Sequence, residues 1–443
     1  MLVEQTQYKH TIKIIIFFNF FILFSPLASS TETSNSIKNN TINNLTTSCL
    51  KIKVLLEEKK NLKEKLTYEI KTQSGFYIED LSNFKKIIFK KKILDIVIKD
   101  NNIYLPYFHE NKRVFKKIKS KDIKLIPISG KFNINDKVYQ GDLILSIIPQ
   151  KNILYLINNI GLNDYLYSVL KAESNISWHL EMQKVQAIVS RTYAIHTMLE
   201  LKKNKKNPKP YDIKNNNFNQ VYSGVHYYTF LRKAIQETED LVLTYNGKIA
   251  LAMFDACCGG IIPANTKSLN FSKAPYLARQ NACNYCKDYK LYRWHKDFSV
   301  DTMLSCFKKY PKLSKNFNDP KKLGRLLDIK ITDKDKAGLV RKIKLVFTKK
   351  NINITGKDLW FSIKDKIQSQ TFDIKKIKDR IIVDGKGHGH QMGLCQWGAK
   401  ELIRRKFELE KNNDWNFRKI LSFYYPQTKL SRLKISKLED AKI

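Results

Sequence analysis

Long apolar runs are missing from this 443-residue chain. The longest, IIIFFNFFILF from Ile14 to Phe24, has 11 residues, about half of what a helix needs to cross a bilayer. Acidic residues are scarce as well: 41 Asp and Glu stand against 80 Lys and Arg, a formal charge of +39. That imbalance suits an anionic partner such as a wall polymer or a membrane surface, although Lys, Asn and Ile are all over-used and the lysines are scattered through every segment. The basic stripe interleaved with aromatics that marks a nucleic-acid binder is absent, which excludes nucleic acid as the partner. No internal repeat is present, and there are only 16 glycines. Apolar and aromatic residues, in contrast, reach 43% and 12%, which excludes wholesale disorder. The length accommodates two or three ordinary domains or one elaborated domain.

The short apolar run has the flanks of an export signal. Lys9, His10 and Lys13 precede it, and Ser25, Pro26, Ala28, Ser29 and Ser30 follow as a small-residue cleavage zone. Residues 1–30 therefore read as a signal peptide or a short N-terminal anchor, and 31–47, rich in Ser, Thr and Asn, as a flexible leader. The mature chain is expected outside the cytoplasm, in the periplasm or cell wall, either free or tethered to the membrane through its N-terminus.

Residues 48–430 read as one α+β domain, followed by a basic tail over 431–443. The runs KIKVLL, FKKIIF, ILDIVI, NIYLPYF, IKLIPISGKF and DLILSIIP have strand length and β-branched content, while EEKKNLKEKL reads as a helical turn or two. Leu180, Val185, Ile188, Val189, Thr192 and Ile195 fall on one face of a long amphipathic helix capped at Ser177. Asn246-Gly247 predicts a hairpin. LVRKIKLVF, NINITG and RIIVDG predict strands, and WNFRKILSFYY a final helix ending before Pro426. The fold expected is a strand-rich body with a long helix and C-terminal helices around a single elongated cleft.

Four of the glycines, at 385, 387, 389 and 393, lie in GKGHGHQMGLCQWGA. Glycines there can adopt backbone angles closed to other residues and admit a ligand against bare main chain, and a strand-turn-helix entry offers free amides. His388 and His390 are expected exposed in this turn. Seven cysteines stand at 49, 257, 258, 283, 286, 306 and 395. Cys257, Cys258, Cys283 and Cys286 have the spacing of a tetrahedral zinc site, with His295 as a substitute ligand, and disulfide pairing between the same residues fits an exported protein equally well. Cys395 invites a cysteine-hydrolase reading with its neighbouring histidines, but reads better as a packing residue beside Trp397.

The ordered segments DYLYSVLKAES, KVQAIVSRTYAI, QVYSG, CCGG, GKGHGHQMGLCQWGA and FYYPQT resemble the stage II sporulation protein D family, also called the amidase-enhancer or LytB domain family. The likeness covers roughly Lys51 to Leu430. It implies action on peptidoglycan glycan strands, as a lytic transglycosylase that cuts strands freed of stem peptides. It places the catalytic acid at Glu173 and substrate contacts at Arg191, Tyr193, Gln220, Tyr222, His388, His390 and Gln396. The alternative it implies is a non-catalytic module that binds the same polymer and recruits or stimulates a cell-wall amidase.

General acid work needs a protonated carboxyl at neutral pH. A free Glu near ~4.3 is protonated only about 0.2% of the time, so the site must raise it by ~2 units, roughly 2.7 kcal/mol, by burial. Tyr165, Leu170 and Trp178 are candidates for the apolar wall. The motifs mark no second carboxylate of the kind a hydrolytic pair needs, which suits lytic cleavage with Glu173 as acid and then base, and no cofactor beyond a structural zinc. Three positions depart from the family pattern. Asp255-Ala256 replaces a common His-Ser pair, Cys395 a Ser, and Ser174 a Met.

Overall fold

The computed structural model describes residues 50–433 except 111, 204–207, 218, 268–269 and 364. The expected signal peptide, the leader and Cys49 lie outside them. Among the described residues no helix is long and apolar enough to cross a membrane. The expected single domain divides into two compact units. The first holds the residues up to Ser177, Gln186–Val242 and those from Ser431 on, and the second holds Trp178–Val185 and Leu243–Leu430.

Two sheets build the first unit. One contains, in chain order, β1 (Lys51–Lys60), β3 (Phe76–Asp80), β4 (Lys86–Phe89), β8 (Asp122–Pro127), β11 (Asp142–Ile148), β12 (Ile153–Gly161) and β13 (Ile213–Lys214). The other contains β2 (Leu66–Lys71), β5 (Ile93–Lys99), β6 (Asn102–His109), β7 (Lys112–Lys117), β9 (Lys131–Ile134) and β10 (Lys137–Gln140). Their spatial orders are β13-β1-β12-β11-β8-β3-β4 and β10-β9-β2-β5-β6-β7. Each expected apolar run contributes a strand, although FKKIIF enters β4 only at Lys86 and IKLIPISGKF spans the turn from β8 to β9. EEKKNLKEKL does not form a helix. A bulge between Leu55 and Glu57 lets β1 continue in pairing with β12 as far as Lys60, and Leu62 is fully buried beyond it.

β12 runs directly into α1 (Leu162–Glu173), and α2 (Leu180–Lys202) and α3 (Thr229–Glu237) follow. α2 is not amphipathic. From Glu181 to Met198 it is buried on nearly every side, because Gln183, Gln186, Ser190 and Arg191 sit on its nominally polar face, each with no exposed surface. It also starts after the expected Ser177 cap. Ser177 donates to Asn175, and the His179 ring accepts from the Glu181 amide at 3.2 Å.

In the second unit β14 (Leu241–Tyr245, whose last three residues belong here) turns through Asn246 and Gly247, at φ 49° and 73°, into β15 (Lys248–Ile249). These are the type I′ angles the dipeptide predicts. After β16 (Phe254–Asp255) the described residues make short 3₁₀ turns and an isolated bridge from Cys257 to His388 until β17 (Arg293–Ser299). α4 (Val300–Lys309), β18 (Leu326–Lys334), β19 (Val340–Phe347), β20 (Asn351–Thr355) and α5 (Gly356–Ser362) enclose a core with Phe307, Phe317, Leu345 and Ile381 at its centre. β21 (Thr371–Ile377) and β22 (Arg380–Lys386) pair with β17 in the order β17-β22-β21. The two-residue β23 (Leu394–Cys395) then leads into α6 (Gln396–Ile403), and α7 (Phe417–Tyr424) ends just before Pro426. Ser431 and Arg432 complete a strand begun at Lys429, and the expected basic tail lies outside the described residues from 434 on.

Candidate functional site

Glu173 is the last residue of α1, where Ser174 breaks the helix with an extended backbone and returns its hydroxyl to the Leu170 carbonyl at 2.6 Å. Opposite stands a tight loop in which Asn216 donates its amide to the Gln220 carbonyl and the Asn215 side chain accepts from the Tyr222 amide at 2.8 Å. This loop aims the Val221 amide at the Glu173 carboxyl, 2.5 Å away. Of the expected apolar wall, Leu170 and Tyr165 on α1 are fully buried, and the Tyr165 hydroxyl feels the Glu173 charge. Trp178 belongs to the second unit, where it packs edge-on against Trp397 at 5.8 Å.

Glu173 keeps some surface toward solvent, yet dense protein around its carboxyl desolvates it and pushes its pKa up to about 7, against a small opposing effect of the Val221 hydrogen bond. The helix C-terminus works in the same direction, since its carbonyls disfavour a negative charge. The Tyr165 and Tyr193 hydroxyls both feel the Glu173 charge and are themselves held neutral, chiefly by burial.

The other expected contacts in this unit divide. Tyr193 is half-buried, and its hydroxyl accepts from the Asn219 side chain at 3.3 Å. Arg191 has no exposed surface and cannot meet a substrate. Its guanidinium donates to the carbonyls of Thr238 at 2.8 Å, Leu241 at 3.1 Å and Ile235 at 3.3 Å, so it ties down the chain end of α3. Burial lowers its pKa to about 10. Gln220 is equally buried. It accepts from Tyr165 at 2.9 Å and donates to the Ser190 carbonyl at 3.2 Å. Tyr222 donates to Asn158 at 2.6 Å and stacks on Tyr165 at 5.6 Å. Both are packing residues that hold Tyr165 and the loop in place. Asn219 and the Val221 amide were missed by the sequence reading. Their one signal was position, Asn219 just before QVYSG and Val221 within it, because a backbone donor leaves no trace in residue type.

The glycine-histidine turn of the second unit also differs from expectation. Its amides are not free: those of Gly387, His388, Gly389 and Leu394 donate to the carbonyls of Tyr292, Cys257, Gln368 and Met253, and the Gln391 amide donates to the Asp255 carboxylate. The glycines admit protein rather than ligand. A Cβ on Gly385 would lie 2.1 Å from the Trp294 ring, and one on Gly393, at φ +72°, would lie 2.0 Å from the Met253 carbonyl. His388 and His390 are half-buried, not exposed. The first lies parallel to Tyr289 with its Nδ1 3.1 Å from that hydroxyl, and the second accepts from the Met392 amide at 3.1 Å. Desolvation lowers both imidazoles, His390 to about 4. Gln396 is buried at the start of α6. Beside the turn runs a groove of about 610 Å³ walled by Trp294, Phe372, Arg293, Asp373 and Asp384. His295 faces this groove, paired with Asp384 at 2.7 Å, and has no part in a cysteine cluster.

The cysteines regroup. Cys258, Cys283, Cys286 and Cys395 are all buried, with sulfurs within 4.8 Å of one another. Cys395 replaces Cys257 in the expected quartet because β16 and β23 pair in parallel, with Asp255 opposite Cys395. The six described cysteines are free of disulfides.

Residues 150–245 match the family described as Stage II sporulation protein, and residues 216–393 match a domain of unknown function, DUF8618. An uncharacterized protein of Brachyspira hyodysenteriae is 29% identical over 66% of this chain and 72% of its own length. The stage II sporulation protein D of Bacillus subtilis is 25% identical over 62% of the chain and 76% of its own length. The amidase enhancer of Bacillus subtilis is 24% identical over 60% of the chain but only 40% of its own length. The match over residues 150–245 and the two named relatives support the stage II sporulation protein D family, the one the chain's ordered motifs resemble.

Proposed function

We propose that this chain is an exported enzyme of the cell wall, a lytic transglycosylase that cuts peptidoglycan glycan strands, preferentially those without stem peptides. The observation that carries this reading is the Glu173 carboxyl, raised to about 7 by desolvation and still partly open to solvent. Near neutral pH such a group is protonated about half the time and can serve as acid and as base. As an acid it protonates the glycosidic oxygen, and the bond to C1 of the muramyl residue breaks. As a carboxylate it removes the proton of the C6 hydroxyl of that sugar, whose oxygen closes on C1. One proton is given and one regained, no water is consumed, and the new end is 1,6-anhydro. Tyr193, half-buried and within the field of Glu173, supports the reading as a candidate contact for the sugar.

The test is digestion of amidase-treated sacculi with the purified chain. Peptide-free glycan fragments one water lighter than hydrolysis products, absent with Glu173→Gln, are the expected result. Products carrying a full water would replace lytic cleavage by hydrolysis. The amidase-enhancing alternative draws on the relative of that name and on Asp255 at the family's histidine position. It predicts identical profiles from wild type and Glu173→Gln, with both still binding sacculi and accelerating an added amidase.

A further inference from the structure

We infer that Cys258, Cys283, Cys286 and Cys395 form a structural zinc site of four thiolates that holds the glycine-histidine turn of the second unit in place. All four sulfurs lie within 4.8 Å of one another, and those of Cys258 and Cys286 are 3.8 Å apart. A zinc ion with bonds of ~2.3 Å sets tetrahedral sulfurs about 3.8 Å apart, so the cluster has the dimensions of one ion. None of the four residues is more than 2% exposed. A disulfide would use two of these sulfurs and leave the other two facing it, whereas an ion uses them all. Cys283 and Cys286 make the two-residue knuckle common in such sites, and the other ligands come from segments distant in sequence.

The surroundings supply what a tetrathiolate needs. Zinc with four thiolates carries a net charge of −2 and requires donors and a counter-charge. The Cys258 amide donates to Cys395 Sγ at 3.3 Å, and the Tyr424 hydroxyl lies 3.2 Å from Cys283 Sγ. Arg279 covers the other end of Tyr424, with its guanidinium 5.5 Å from the ring centre. It is 2% exposed, and its Nε and Nη2 find no hydrogen-bond partner among the described residues. A buried cation without a full set of partners is costly, and a dianionic cluster one aromatic ring away offsets that cost. Gly398 completes the fit, since a Cβ there would come within 2.3 Å of Cys283 Sγ and 3.1 Å of Cys395 Sγ.

Between β16 and β17 the described residues form only short 3₁₀ turns and an isolated bridge, and an ion bonded to Cys258, Cys283 and Cys286 would fasten this segment to Cys395 at the start of α6. Each thiol that binds releases its proton to solvent, so the energy of binding becomes stability of this region.

The test is elemental analysis of the full-length chain purified without chelator, which should contain one zinc per chain. Cys258→Ser and Cys395→Ser should retain less than a tenth of it, while Cys257→Ser and Cys306→Ser retain it all. Titration of the wild type with a mercurial should release one zinc as four thiols react. This second measurement, like Co(II) exchange read by its thiolate charge-transfer band, decides the matter even if the ligand variants fail to fold. Metal-free protein lighter by the hydrogens of two disulfides would overturn the site, as would iron in place of zinc. So would zinc lost with Cys257→Ser and kept with Cys395→Ser. None of these outcomes bears on the role of Glu173, since no activity is read.

Discussion

At the scale of single residues, the proposed chemistry rests on one largely desolvated carboxyl. The pKa of Glu173 near 7 predicts that kcat/KM on glycan strands falls about tenfold per pH unit on the alkaline side of 7, as the acid form is lost. The same shift has a cost in stability. The folded-state pKa lies above the unfolded value of about 4.5, so between these two values the folded chain binds more protons than the unfolded chain. Stability therefore falls as pH rises through that window and stays lower above it. Glu173→Gln removes the charge and keeps an acceptor for the Val221 amide. With partial exposure discounted, it should raise stability at pH 8 by on the order of 1–2 kcal/mol and leave it unchanged at pH 4. Thermal melts of the two proteins at both pH values check this, and equal melts at pH 8 would mean that the carboxyl is ordinarily solvated.

At the scale of elements, α1 and the loop from Asn215 to Gly224 present Glu173, while α2 supplies the rigid wall behind it. Arg191, three times hydrogen-bonded to carbonyls around the end of α3, joins α2 to that end. Arg191→Met should leave those carbonyls buried and unpaired, and lower stability by about 2–4 kcal/mol. Urea denaturation measures this loss. A variant of normal stability but weakened glycan binding would restore the substrate role that the motif suggested. The helical period located α2 in the sequence, but its amphipathic character was misread because Gln183, Gln186 and Arg191 look like surface residues. Arg191 is buried because it finds its partners 44 to 50 residues along the chain, whereas Gln186 donates to Ser190 one turn on in the same helix. The strands were legible through their alternation, whereas EEKKNLKEKL was not, since a bulge and a long-range partner strand override local helix preference.

At the scale of the whole molecule, a formal charge of +39 favours association with an anionic wall. Binding to intact sacculi should weaken severalfold between about 50 and 500 mM salt, while cleavage of a short neutral glycan changes little, since screening acts on exposed charges at long range. Co-sedimentation at graded salt checks the first and product analysis the second. If both respond alike, the charge acts within the site.

The sequence alone marked most of the strands and helices, the family resemblance and Glu173 as the candidate acid, because strand alternation, helical period and the motif spacings are local properties of the chain. Which polar residues meet solvent and which only support others was decided by the tertiary structure. Arg191, Gln220 and Tyr222 went inward, the amides of the glycine-histidine turn were taken by neighbouring strands, and Cys395 replaced Cys257 among four convergent sulfurs. Burial and partnership depend on segments distant in sequence coming together, and residue type or spacing does not encode which segments those are.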